Sequence, residues 1–461
     1  MAILPAHGAA LVGQGAETAV ETGLLERHFK LRERGTNTRT EVLAGVTTFL
    51  AMAYIVLVNP AILGQAGMPV ASVAAATCLA AALASILMGL VANVPLALAP
   101  GMGLNAYFSF TVVQQMGVPW PVALGCVFLS GVAFLLLTLT GVRQMIIAVI
   151  PQHLFAAIAG GIGLFIGFIG LKDAGIIVAN PATLVGLGTL SAPGPALALF
   201  GLAVMGVLSV WNVRAAILIG ITLTTIAAWI SGQVSAPAEP YSIDAIAGTA
   251  FQLDIAGVFG LSATQGIGLL EIIFVFLFVD LFDNVGTLVA VTKRAGLMDA
   301  SGRIPGLKRI LTTDAVAAML GAVAGTSTVT SYVESAAGVQ AGGRTGLAAV
   351  VTGLLFLATM FVAPYAQLVP LAATAPALIL VGGLMMLPLA EITWDDPMAA
   401  IPAFLTVAMI PLTFSIANGI AFGIAAHALF KLAKGQASRA DWFLFTLAAL
   451  FVARFVWMSA A

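Results

Sequence analysis

Four carboxylic acids stand in stretches otherwise suited to an apolar solvent: Asp280, Asp283, Asp314 and Glu334. Asp280 and Asp283 lie in FVDLFDNVGTLVAV (278–291), and a spacing of three puts both on one face of a helix. Glu334 closes a Thr/Ser-rich run, and Asp314 stands near the end of its own run, where a helix cap or an interface position suffices for it. An ionised carboxylate in hydrocarbon is costly, and no Lys or Arg occurs within these runs to balance it. A carboxyl that is neutral or charged according to occupancy is what proton-coupled transport requires. Asp283, Glu334 and Asp280 are therefore the candidate proton carriers.

The same groups limit what can bind. Without a basic residue among them, a simple anion is disfavoured. Carboxylates and an amide suit a planar, neutral ligand rich in N–H groups, such as a purine, whose adjacent ring N–H and amino groups can give two parallel bonds to one carboxylate. Asn105 offers a donor and an acceptor, the combination that matches a purine edge. Phe278, Phe282, Tyr107 and Tyr332 lie near these residues in sequence and are candidates to stack on a base.

The elements that position such groups must cross a membrane. Of 461 residues, 61% are hydrophobic and 8% charged, against about half and about a quarter in soluble domains. The mean hydropathy of +1.10 fits a chain solvated mainly by lipid. A soluble globule, a disordered chain, collagen and a coiled coil are excluded. A net charge of -1 implies no nucleic-acid partner. Cys78 and Cys126 form neither a disulfide framework nor a metal pattern, and no cofactor is called for. The histidines His7, His28, His153 and His427 are expected to form no cluster.

Apolar runs at ~20 residues per crossing fall at 43–63, 72–95, 98–115, 121–141, 144–170, 195–211, 214–231, 267–291, 310–325, 327–340, 345–364, 372–390, 398–414 and 415–433. That predicts an all-α polytopic membrane protein of about 14 segments. A further stretch, 441–458, reads as an interfacial helix. Residues 1–42 mix acids and bases without the apolar centre of a signal peptide. With the N-terminus inside, 16 of the 18 Lys and Arg face the cytoplasm, and an outer loop over 233–266 holds Glu239, Asp244 and Asp254 but no base. The positive-inside rule thus puts both termini in the cytoplasm, and we expect residence in a bacterial inner (plasma) membrane.

Two of these runs are too broken to cross as ordinary helices: Ala99-Pro100-Gly101-Met102-Gly103-Leu104-Asn105-Ala106-Tyr107, and 325–335 with its β-prone Thr, Ser and Val. They are the third and tenth segments, each third in its half. Seven is odd, so the halves enter with opposite orientation, which predicts a 7+7 inverted repeat with the substrate site at its interface. Extended backbone in a bilayer needs partners. Two such stretches can satisfy one another as a short antiparallel pair.

At these residues the chain resembles the AzgA-like purine permeases, the adenine/guanine/hypoxanthine branch of the nucleobase–cation symporter-2 (nucleobase–ascorbate transporter) family. The resemblance rests on GVTTFLAMAYIVLVNPAIL (45–63), APGMGLNAYF (99–108), FVDLFDNVGTLVAV (278–291) and GTSTVTSYVESAAGVQAGGRTG (325–346), and covers about 40 to 435. It implies binding residues at Asn105, Asp283 and Glu334 and proton-driven purine uptake by an elevator-like motion, commonly in a homodimer. It also implies a core domain of 43–141 and 267–365 and a gate domain of 142–232 and 366–434, with tails at 1–42 and 435–461. The uracil and xanthine branches carry Glu-His where this chain has Asp283-Asn284, which weighs against those substrates.

Rival classes call for other residues, and a passive channel would not need titrating acids paired with broken helices. An anion transporter of the related sulfate-transporter fold calls for a basic or purely amide site. An intramembrane aspartyl protease calls for aspartates on separate helices and a Gly-x-Gly-Asp motif, which is absent here, as are the zinc-protease and serine-hydrolase signatures. The chain is expected not to be an enzyme.

Overall fold

The computed structural model describes residues 24–141, 151–234, 247–265, 268–298, 304–438 and 441–460. His7, Arg143, Glu239, Asp244, Arg303 and Arg439, all used in the sequence reading, lie outside the described residues, as does the side chain of Phe282.

The chain is a mostly helical, multi-pass membrane protein. After α1 (Leu24–Phe29), the helix α2 (Thr38–Met52) starts at Asn37, whose side chain accepts the Thr40 N–H at 3.0 Å. The expected single span over 43–63 is in fact broken: Ala53 and Tyr54 turn the chain, and α3 (Ile55–Gly64) continues it. Pro60 inside α3 removes one further backbone donor. Then follow α4 (Val70–Val91), β1 (Leu98–Pro100), α5 (Met102–Ala106) and a π-helix over Tyr107–Gln115. Next come α6 (Trp120–Thr140), α7 (Gln152–Asp173), the hairpin β2 (Ile177–Asn180) and β3 (Leu184–Leu187), α8 (Pro193–Val210) and α9 (Ala216–Ile230).

The second half holds α10 (Ile255–Gln265), α11 (Gly268–Arg294), α12 (Leu307–Ala324), β4 (Val329–Ser331), α13 (Ser335–Gln340) and α14 (Gly346–Thr359). It ends with α15 (Leu371–Leu384), α16 (Pro397–Leu412), α17 (Ile416–Ala433) and α18 (Trp442–Ala460). Among the described residues, eight helical runs are long and apolar enough to cross a bilayer, and Ala216–Ile230, Gly346–Thr359, Pro397–Leu412 and Trp442–Ala453 are shorter apolar helices.

Two elements carry no hydropathy signal, and a third, the helix expected at the interface over 441–458, packs on the core instead. The β2–β3 hairpin turns on Asn180, whose side-chain oxygen accepts the Ala182 N–H at 2.8 Å. The stretch read as loop over 233–266 contains α10, where Asp254 accepts the Gly257 N–H at 2.7 Å and so caps the helix. The stretch 441–458 forms α18, which packs on α17 and buries Leu444, Leu447 and Phe451 in the main core. The Asp441 carboxyl, just before it, accepts from Lys431 Nζ at 2.7 Å and from the Ser438 N–H at 2.9 Å. These bonds hold the group down at about 2, below the usual carboxylate range.

Helix packing follows small residues. α14 packs along α4 and α2, and α12 lies on α4 and α6. Gly89 of α4 and Gly346 at the start of α14 meet backbone to backbone, and a Cβ on either would collide with the other. A second set joins α7, α15, α16 and α17, with α8 and α9 against α15.

Candidate functional site

The two broken stretches meet. β1 and β4 pair antiparallel with Leu98 opposite Ser331, Ala99 opposite Thr330 and Pro100 opposite Val329. The pair is extended at each end by Gly101 N–H to Thr328 O and Tyr332 N–H to Ala97 O, both 3.0 Å. Side chains take up the remaining backbone groups: the Leu98 N–H donates to Ser85 Oγ at 2.9 Å, and the Ala97 N–H to Ser335 Oγ at 3.0 Å. Gly325, at φ +89°, ends α12 in the left-handed region and releases the chain into β4. The extended backbone of the two broken stretches thus finds its partners within the protein, as a bilayer demands of any segment that crosses it.

Around this crossing gather the acids. Asp283 of α11 places Oδ2 3.8 Å from where a Cβ on Gly101 would stand, at the junction of β1 and α5. Asp283 interacts electrostatically with both Asp280 and Glu334. Both Asp283 and Glu334 are half-buried, whereas Asp280 and Asp314 are buried. Glu334, between β4 and α13, accepts from Tyr54 Oη at 2.5 Å. Asp314, read from sequence as a cap or interface residue, is instead enclosed beneath β4, where Ser331 Oγ donates to it at 3.4 Å. The acid is enclosed because α12 packs against β4, β1 and α4.

Asn105 is fully buried on α5. Its Nδ2 donates to Asn59 Oδ1 at 2.6 Å, and its Oδ1 accepts from Ser327 Oγ. Asn59 Nδ2 in turn donates to Thr77 Oγ1 at 2.7 Å and Thr326 Oγ1 at 2.8 Å, and the Thr77 hydroxyl donates to Val73 O at 2.6 Å. One buried chain of hydrogen bonds therefore ties α3, α4, α5 and the stretch before β4 together.

The aromatic candidates are placed differently from one another. Phe278 is buried and stacks on Phe274, with centroids 4.3 Å apart at 30°. Tyr332 donates to Pro100 O at 2.6 Å, so its ring is pinned against β1. Tyr107 packs edge-on to Phe276 at 5.1 Å. Two of the histidines expected to form no cluster, His153 of α7 and His427 of α17, do lie as a pair with ring centroids 5.0 Å apart, because those helices pack together. Among the described residues no group of three or more His, Cys, Asp or Glu is placed to hold a metal ion.

Comparison with known proteins places this arrangement. The Xan_ur_permease model, described as Permease family, matches residues 39–422. Adenine permease AdeP of Escherichia coli (strain K12) is 48% identical over 441 residues, 95% of this chain and 97% of that protein. Guanine/hypoxanthine permease PbuG of Bacillus subtilis (strain 168) is 45% identical over 446 residues, 94% of this chain and 100% of that protein. The chain belongs to the nucleobase–ascorbate transporter family.

Among solved structures, the transmembrane domain of the cyanobacterial bicarbonate transporter BicA matches this permease with a TM-score of 0.63 at 15% identity, covering 84% of this chain and 97% of that one. Murine Slc26a9, an anion transporter in the inward-facing state, matches with a TM-score of 0.58 at 13% identity, covering 85% and 68%. At those identities the likeness is one of fold alone. The relatives are permeases, and this family member is a transport protein, not an enzyme.

Sequence reasoning missed two features of the permease site. Tyr54 was read as part of a continuous apolar span, and the Tyr-Ile step carries no break signal of its own. Asn59 was passed over for the same reason, although Asn followed by Pro60 within an apolar run is a polar residue at a helix defect, a usable cue.

Proposed function

We propose that this chain is a proton-coupled symporter that imports purine nucleobases (adenine, guanine and/or hypoxanthine) across the bacterial inner membrane. The observation that carries it is the convergence of Asp283 and Glu334 on the β1–β4 crossing, with no Lys or Arg paired to either among the described residues. The chain's likeness to the adenine permease AdeP and the guanine/hypoxanthine permease PbuG supports purines as the substrate class.

The proposed binding groups are Asp283, Glu334 and Asn105, flanked by Phe278 and Tyr332. Asp283, Glu334 and Asp280 are the proposed proton-coupling set. A proton from outside neutralises one acid, and the other accepts the N–H edge of the base. Each end of the Asn105 amide already makes one bond within the protein, to Asn59 and to Ser327, which leaves one N–H and one oxygen lone pair to serve the base.

The proposed architecture is fourteen segments in a 7+7 inverted repeat, with both termini cytoplasmic. The core comprises 43–141 and 267–365 and the gate 142–232 and 366–434. An elevator motion slides one against the other, in a homodimer. Antiparallel pairing of β1 with β4 supports the inverted halves, and the two sets of helix contacts support the division. Neutralising one of the acids before the site moves lowers the charge that must be carried past lipid-facing helices, and so the cost of the movement.

The test is uptake of radiolabelled adenine, guanine and hypoxanthine into cells lacking their own purine transporters, with unlabelled competitors and a protonophore. Saturable uptake that collapses with the protonophore is expected. Purine-independent bicarbonate or sulfate flux instead would favour the anion-transporter alternative, which the acidic site disfavours.

A further inference from the structure

We propose that Tyr54 is a positioning residue for the permease site, reserving one oxygen of Glu334 so that the other takes the coupled proton and meets the base. The inference rests on the proton-coupled purine reading above. Tyr54 is almost wholly buried at the break between α2 and α3, within the main core. Its Oη donates to Glu334 Oε1 at 2.5 Å, the range of a charge-assisted O–H···O bond.

A phenol can play this part where a base cannot. Lys or Arg would hold Glu334 ionised and compete with any coupled proton. A hydroxyl donates to the carboxylate when it is charged and goes on donating to the same oxygen, then carbonyl-like, once a proton has been added. Protonation forms one O–H bond on Oε2 as one breaks in the hydronium that delivers the proton, and release to water on the inner side reverses this, so each cycle takes up and releases one proton. Fixing Oε1 also fixes the plane of the carboxyl, and with it the direction in which Oε2 faces.

The other charged and titratable groups around Glu334 are few. Asp283 faces it from α11, with Asp280 behind, and Tyr332 lies on its own stretch. Its own backbone N–H lies against the carboxylate. From α2, Glu41 is already committed to the Arg344 N–H at 2.8 Å and the Thr345 N–H at 3.3 Å. Among the described residues no cation is paired with Glu334.

The experiment is radiolabelled purine uptake by the full-length chain carrying Tyr54→Phe, which keeps the ring and its volume, normalised to protein in the membrane. Losing a donor to the carboxylate favours its protonated form. The pH of half-maximal uptake is expected to move alkaline by about one unit, with KM raised about tenfold and uptake at saturation reduced far less. A second variant places 3-fluorotyrosine at position 54. It retains the bond with a stronger donor, and its pH profile is expected to move in the acid direction. A Tyr54→Phe protein with the wild-type KM and pH profile overturns the proposal, and so does a 3-fluorotyrosine protein whose profile stays put if Tyr54→Phe fails to accumulate. In either case wild-type uptake persists, which separates this failure from that of the parent reading, where the wild-type chain itself carries no purine.

Discussion

Gly101 and Asp283 face each other where β1 gives way to α5: a side chain on Gly101 would stand 2.9 Å from Thr330 Cγ2 and 3.8 Å from Asp283 Oδ2. The residue has an ordinary extended φ of −74°, so space and not backbone conformation calls for glycine there. Gly101→Ala should therefore leave the protein in the membrane but push Thr330 aside, at about 1–3 kcal/mol. Purine uptake is expected to fall about tenfold, mainly through KM. Uptake kinetics at matched membrane abundance check it.

Removing the charge at either proposed binding acid should stop transport. Asp283→Asn and Glu334→Gln are near-isosteric, so the fold is expected to survive while accumulation drops to background. Asp280 lies behind Asp283 and interacts with it electrostatically, so Asp280→Asn should be milder and act chiefly on the pH profile. Full protonophore-sensitive accumulation by either of the first two variants removes that residue from the mechanism.

The buried amide chain is expected to be costly to interrupt. Asn59→Ala deletes bonds of 2.6, 2.7 and 2.8 Å to Asn105, Thr77 and Thr326, leaving polar groups without partners in a dry site. Membrane hydrogen bonds average below 1 kcal/mol each, but orphaned partners add to the loss. A total of about 2–4 kcal/mol is expected. A lowered Tm of the purified protein in detergent tests this, and Thr77→Val should show a smaller drop.

The C-terminal helix carries a pH signature of its own. Asp441 is bonded to Lys431 and Ser438 and sits at about 2, below its ordinary value of 3.8. A depressed carboxyl contributes its stabilisation above the unfolded value and loses it as pH falls through the folded one. The bond should therefore be intact from neutrality down to about pH 4 and be lost between about 4 and 2. Proteolysis near residue 438 is expected to be uniform above that window and faster within it, and Asp441→Asn should be cut faster at neutral pH.

Much of this fold was legible because lipid imposes a simple code. Long apolar runs predicted most helices to within a few residues, and the Pro-Gly and Thr/Ser runs announced where helix fails. The paired strands followed from one constraint, that unpaired backbone is intolerable in oil. What stayed hidden was long-range. Tyr54 and Glu334 are 280 residues apart, and Asn59 and Thr326 are 267 apart, so no local pattern links them. His153 and His427 met only because their helices cross. The break at Ala53–Tyr54 lacks Gly or Pro at the turn itself, so hydropathy runs straight over it.

The three-residue ladder between β1 and β4 also sets an order of assembly. Leu98 leaves the ribosome more than two hundred residues before its partner Ser331. Until then the first half has entered the bilayer with extended main chain that nothing yet completes. Nascent chains must wait, shielded by the insertion machinery, for the second half to arrive. A polypeptide cut short anywhere between the two strands keeps that raw edge for good, which marks it for quality-control proteases.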